Sequence, residues 1–156
     1  YKNISSAIQF NLHNVHQPDY YDDISAVSFE AGIFYRSKIF SSGIHIFNFT
    51  NSAFKQLYNT KIPLIIEFGI GLNPYKKLFL TTELEINNQY GNIIKGGFEY
   101  YIIDRIITRI GFSTSYYSGY SFGLGFIQKH IKANVAFTQH IYLGFTPHID
   151  FTYSFK

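Results

Sequence analysis

From Phe145 to Phe155 the chain alternates without a break. Phe145, Pro147, Ile149, Phe151, Tyr153 and Phe155 take every second position, with Thr146, His148, Asp150, Thr152 and Ser154 between them. A period of two puts the two sets on opposite faces of a strand. The same period recurs throughout and predicts ten strands, at about 3–13, 24–35, 38–48, 62–72, 76–87, 93–103, 105–116, 119–127, 130–142 and 145–155. The links alternate in length: NVHQPDYYDD is long and RSK short, FTNSAFKQLYNTK long and NPYK short. The contrast fades through NQYGN, DR, SYYSG, IQKH and LG. Long loops at one end and tight turns at the other, with both termini on the tight-turn side, are the arrangement of an outer-membrane barrel.

The distribution of charge decides which face is the inside. With the apolar set placed outward, Glu30, Glu67, Lys77, Glu83, Glu85, Lys95, Glu99, Arg109, Lys132 and Asp150 all fall on the opposite face, and every other Asp, Glu, Lys and Arg falls in a link or at an end. Each register is chosen to put apolar residues outward, so part of this agreement is built in. The strand with Lys77, Glu83 and Glu85 is the independent test, because three charges share one parity there. A Lys or Arg facing lipid at mid-depth costs about 2–4 kcal/mol. The polar face therefore lines a lumen, and the small Gly, Ser, Thr and Asn residues between the charges suit a crowded interior. A soluble β-sandwich or lipocalin-like barrel would reverse the faces and carry many Lys and Glu outward.

Composition supports this picture. The chain has 156 residues with 17 Phe and 14 Tyr, and only 15% are charged, which favours strands. No apolar run is long enough for a helical span. The sequence contains no Trp, which is unusual for a barrel, but Tyr20, Tyr21, Tyr58, Tyr75, Tyr90, Tyr116, Tyr117 and Tyr142 lie where aromatic girdles belong. There is no Cys, hence no disulfide framework or thiolate chemistry. With no Met either, the chain is expected to have been processed or cut, and a leader removed before Tyr1 accords with export. The net charge of +3 comes with no basic run beyond Lys76 and Lys77, so nucleic acid is not expected as a partner. The expectation is one all-β domain over 1–156, an antiparallel up-and-down transmembrane β-barrel of about ten strands. Ten is even, so the first strand is expected to close on the last. Eight strands is the nearest alternative.

In order along the chain, the segments GIHIFNFTN, KIPLIIEFGIGLNPYKKLFLTTELE, GGFEYYIIDRIITRIGF, YSFGLGF and LGFTPHIDFTYSF resemble the C-terminal part of the PorV and PorQ type barrels of the type IX secretion system, which are related in fold to FadL-type transporters. The resemblance covers roughly residues 29 to 156 and lies in order and pattern, with no invariant motif. Family barrels have about fourteen strands and an N-terminal segment in the lumen, so this chain is either a reduced relative, the favoured reading, or part of a longer one. The resemblance implies a non-enzymatic protein of the bacterial outer membrane that acts with other outer-membrane proteins in a complex, holding or handing on secreted proteins. No binding residue carries over from it.

Three constellations invite a chemical reading. A three-residue hairpin loop at Leu143, Gly144 and Phe145 would set His140 opposite His148 and Thr138 opposite Asp150, a possible metal set that is read here as part of a polar lumen network. Asp150 and Ser154 share a face at a separation of about 13 Å, too far for a hydrogen-bonded triad. Glu83 and Glu85 lie about 7 Å apart, within range for an inverting glycosidase, but Lys77, Lys95 and Arg109 project into the same lumen and favour ion pairing. No catalytic residue, metal or cofactor is expected. The lumen network is expected to comprise Glu30, Glu67, Lys77, Glu83, Glu85, Lys95, Glu99, Arg109, Lys132, His140, His148 and Asp150.

A ten-strand lumen is narrow, and paired charges across it predict poor conduction. The expected role is then an accessory or scaffolding subunit of a protein-export complex. Contact would be made through the two longest loops, where Tyr20, Tyr21, Phe54, Leu57 and Tyr58 mix aromatic and apolar groups with polar ones. The alternative is a small pore or a FadL-like conduit for an apolar solute.

Overall fold

A computed structural model of the chain describes residues 3–15, 24–54, 60–115 and 118–155. Ten long strands follow one another in an antiparallel up-and-down sheet: β1 (Ile4–Val15), β2 (Ile24–Arg36), β3 (Phe40–Phe47), β6 (Ile65–Tyr75), β7 (Leu78–Asn87), β8 (Gly91–Ile103), β9 (Ile106–Ser113), β10 (Ser118–Gln128), β11 (Ile131–His140) and β12 (Gly144–Tyr153). Each predicted strand has its counterpart within a few residues. Two-residue strands β4 (Ala53–Phe54) and β5 (Thr60–Lys61) pair within the link between β3 and β6, and the period-two reading did not find them. They are too short to show a period.

The sheet is coherent because apolar side chains from neighbouring strands meet on its outward face. Ile8 pairs with Ala31, Ile33 with Ile44, Phe68 with Leu84, and Leu124 with Val135. Phe122 stacks on Phe137 at 5.4 Å and meets Phe145 edge-on at 5.9 Å. Such cross-strand pairs contribute about 0.2–1 kcal/mol each. No ordinary hydrophobic core forms. Among the described residues the only buried large apolar side chains are Ile24, Ile62 and Ile107, whereas Ile8 is 79% and Ile149 81% exposed. An apolar surface of this extent is stable only where something other than water covers it.

The tight turns lie at residues 37–39, 76–77, 104–105 and 129–130, at the end where β1 begins and β12 finishes. The longer links, including the one that holds β4 and β5, lie at the other end. Among the described residues no ladder joins β1 to β12, so the expected closure of the first strand on the last is not formed. The curvature of the sheet does not bring its tenth strand back to its first.

Candidate functional site

Residue parity fixes one polar face across the whole sheet. The ladders set Gln9 opposite Glu30, Glu67 opposite His45 and Glu85, Glu83 opposite Lys95, Glu99 opposite Arg109, and Asn134 opposite Asp150. These side chains link into a belt. Gln9 Nε2 donates to Asn11 Oδ1 at 2.7 Å, and Asn11 Nδ2 donates to Glu30 Oε1 at 2.8 Å. His45 then spans two strands, its Nε2 at 2.8 Å from Glu30 Oε2 and its Nδ1 at 3.0 Å from Glu67 Oε2. The Lys95 ammonium sits between Glu83 at 2.8 Å and Glu85 at 2.7 Å, with Glu67 at 4.0 Å. Carboxylate oxygens of Glu67, Glu83 and Glu85 all lie within 4.8 Å of one another, and the ammonium among them supplies the counter-charge.

A second arc begins at β8. Arg109 Nε donates to Glu99 Oε2 at 2.6 Å, its Nη1 donates to Asn134 Oδ1 at 2.9 Å, and Asn134 Nδ2 donates to Asp150 Oδ2 at 2.8 Å. Arg109 on β9 reaches Asn134 on β11 over the intervening strand because β10 presents Gly125 there. A Cβ at Gly125 would stand 2.8 Å from Asn134 Oδ1 and 3.0 Å from Arg109 Nη1. On this face Glu30, Glu67, Glu83, Glu85, Glu99 and Asp150 stand against Arg36, Lys95, Arg109 and Lys132, leaving a small excess of acidic charge even with His45 counted as a cation between its two carboxylates.

Toward the tight-turn end the belt gives way to a groove of about 740 Å3. Its floor is set by Gly32, Gly43, Gly69 and Gly71, and Phe79 closes down on Gly71, whose Cβ would stand 3.1 Å from that ring. Toward the opposite end the described residues between β3 and β6 fold onto the polar face. Asn48 is buried, donates from Nδ2 to the carbonyls of Ile62 (2.8 Å) and Ser52 (3.4 Å), and accepts from the Ser52 amide at 2.9 Å. β4 packs on β2, where Ile24, Ala26 and Ser28 are buried, and the Phe54 ring meets His13 edge-on at 6.3 Å. Gln89 Nε2, donating to the Lys61 carbonyl at 3.0 Å, ties this segment to the turn between β7 and β8.

Two expected placements are corrected. Lys77 is not on the lumen wall. Residues 76–77 form the turn before β7, and Lys77 Nζ lies 3.8 Å from Asp104 Oδ1 at the rim. The hairpin before β12 turns at residues 141–143, so His140 pairs with Gly144 and His148 with Ala136. Gly144 carries a φ of +71°, which suits the residue that ends the loop, and His140 Nδ1 accepts the amides of Tyr142 and Leu143. The two imidazoles are four residue pairs apart, about 13 Å, and form no metal set. Lys132 and His148 remain on the polar face. Tyr20, Tyr21, Leu57 and Tyr58 lie outside the described residues, and Phe54 is turned inward on His13. Sequence reasoning missed Gln9, Asn11, His45 and Asn134. Their parity with neighbouring charges was the available signal.

No protein-family model matches the sequence, and no curated protein matches it. Among solved structures, mutant forms of the Rhodopseudomonas blastica porin match over 99% of this chain. One aligns with a TM-score of 0.62 at 10% identity and another with 0.63 at 9% identity. The chain spans 56% of the length of that porin. At this identity the likeness is one of fold: an antiparallel up-and-down sheet that matches the wall of a porin barrel.

Proposed function

We propose that this chain forms part of the wall of a solute-conducting β-barrel in the bacterial outer membrane, non-enzymatic, with a lumen that favours small polar and cationic solutes. The observation that carries the reading is the polar belt, continuous in parity across the sheet, with a net acidic charge and a glycine-floored groove beside it. A wall with this lining attracts cations into the space it borders. The inward-folded segment at β4 and β5 narrows that space from one end. The porin likeness of the fold supports a wider passage than ten strands closed on themselves would leave. The polar lining also turns the reading away from an apolar solute. The scaffold role in protein export rests on sequence resemblance alone and is the second reading.

The test is current across planar bilayers, using protein purified from its native membrane with whatever completes its barrel. Steady conductance is expected, with a reversal potential under a salt gradient that shows cation preference. A barrel that inserts and stays electrically silent would contradict the pore and favour the scaffold.

A further inference from the structure

The tight-turn end of the sheet carries a charge pattern that the lumen does not account for. Every tight turn there presents an exposed base: Lys38 after β2, Lys76 and Lys77 between β6 and β7, Arg105 between β8 and β9, and Lys129 between β10 and β11. The one acidic residue in these turns is Asp104, which lies 3.8 Å from Lys77. The opposite end is not basic in this way. Its two longest links hold Asp19, Asp22 and Asp23 against Lys55 and Lys61, and the links at 88–90, 114–117 and 141–143 carry no charged residue.

The bases also stand at a defined level relative to the apolar face. Exposed Ile39, Tyr75, Ile103, Ile106 and Tyr153 end the outward face beside these turns. A Lys or Arg just beyond the last lipid-facing side chain lies at headgroup depth, where its stem covers apolar surface and its charge reaches the phosphate layer. Repetition at four turns separated by pairs of strands gives a rim of cations along the sheet. A single basic turn would be an ordinary solvated surface feature, but a rim that repeats with the hairpins and is absent from the other end marks one leaflet.

We propose that the tight-turn rim binds anionic phospholipid headgroups of the leaflet on that side, with Lys38, Lys76, Arg105 and Lys129 as the contacting residues. This rests on the membrane reading above and is independent of whether the lumen conducts. It also fixes orientation, because the rim and the acidic first loop prefer opposite surroundings.

The test is the association of spin-labelled lipid with the protein, reconstituted in phosphatidylcholine vesicles together with whatever completes its barrel, comparing trace spin-labelled phosphatidylglycerol with trace spin-labelled phosphatidylcholine. The wild type is expected to favour phosphatidylglycerol by about fivefold at low salt, the effect of roughly one base at the surface. The preference should fall toward unity in 1 M salt, where the screening length is about 3 Å. The variant Lys38→Gln/Lys76→Gln/Arg105→Gln/Lys129→Gln is expected to lose it, and Lys38→Arg/Lys76→Arg/Lys129→Arg to keep it. Equal association of the two lipids with the wild type, or a preference retained by the Gln variant, would overturn the proposal. Failure to enter vesicles at all would instead overturn the membrane reading on which it rests.

Discussion

At the scale of single residues, the lumen is organised as much by glycines as by charges. Gly125 is a gap in β10 through which the Arg109 guanidinium crosses to Asn134, and through Asn134 to Asp150. Gly125→Ala places a methyl group within 3.0 Å of both partners, and neither can withdraw without breaking a charge-assisted hydrogen bond. The expected loss is about 1–2 kcal/mol, reduced from the buried value because Arg109 is partly exposed, as read by urea unfolding in vesicles. Gly119→Ala is the control. Nothing lies within 4 Å of a Cβ there, so the change should stay within about 0.5 kcal/mol. A loss at Gly125 no larger than at Gly119 would show that the bridge contributes nothing to stability. His45 has a comparable part in the first arc, joining β2, β3 and β6 through two carboxylates, and its parity with Glu30 and Glu67 was the one sequence signal for it between apolar neighbours.

At the scale of elements, the ten long strands were legible because apolar residues recur at alternate positions along each, with only single breaks such as Ser42, Thr82 and Thr108. β4 and β5 were not, since two residues carry no period and their pairing depends on Asn48 folding the link back on itself. The last hairpin shows what parity protects. Its turn lies two residues earlier than the sequence placed it, which shifts the cross-strand register by four. An even shift changes partners and leaves every side chain on its face. His148 and Asp150 are therefore on the polar side as expected while the His140–His148 pairing is not made. Lys77 shows the opposite failure: a two-residue turn took it out of the strand, and parity has no meaning there. The face assignment itself has an energetic test on β10. Leu124 is 60% exposed and points outward, and Leu124→Arg is expected to destabilise the inserted protein by about 2–4 kcal/mol. Thr138→Arg, on the polar face of β11, is expected to cost less than about 1 kcal/mol by the same urea titration. Equal costs at the two sites would mean that lipid does not meet the face that carries Leu124.

At the scale of the whole molecule, the arrangement is inside-out relative to a soluble domain. Most of the titratable groups face one another across a concave wall, and most of the large side chains of Ile, Leu, Phe and Tyr face outward. Backbone groups in a bilayer require partners, which strand ladders provide within the sheet. At β1 and β12 the ladder has no further strand among the described residues, and the match to 56% of a porin chain is the corresponding fact at the level of fold. The central claim is that lipid lies on one side of this wall and water on the other. The absence of Cys in the sequence makes it directly testable, since single cysteines introduced at residues 120–126 and 145–151 can each carry a spin label without background. Power-saturation measurements in vesicles compare collisions with oxygen, which concentrates in lipid, against collisions with a water-soluble nickel chelate. Labels at 120, 122, 124 and 126, and at 145, 147, 149 and 151, are expected to favour oxygen, with the residues between them favouring the chelate, in alternation along both strands. Labels at 120, 122, 124 and 126 shielded from both reagents, with the residues between them open to the chelate, would place the apolar face in a protein interior and contradict the membrane wall.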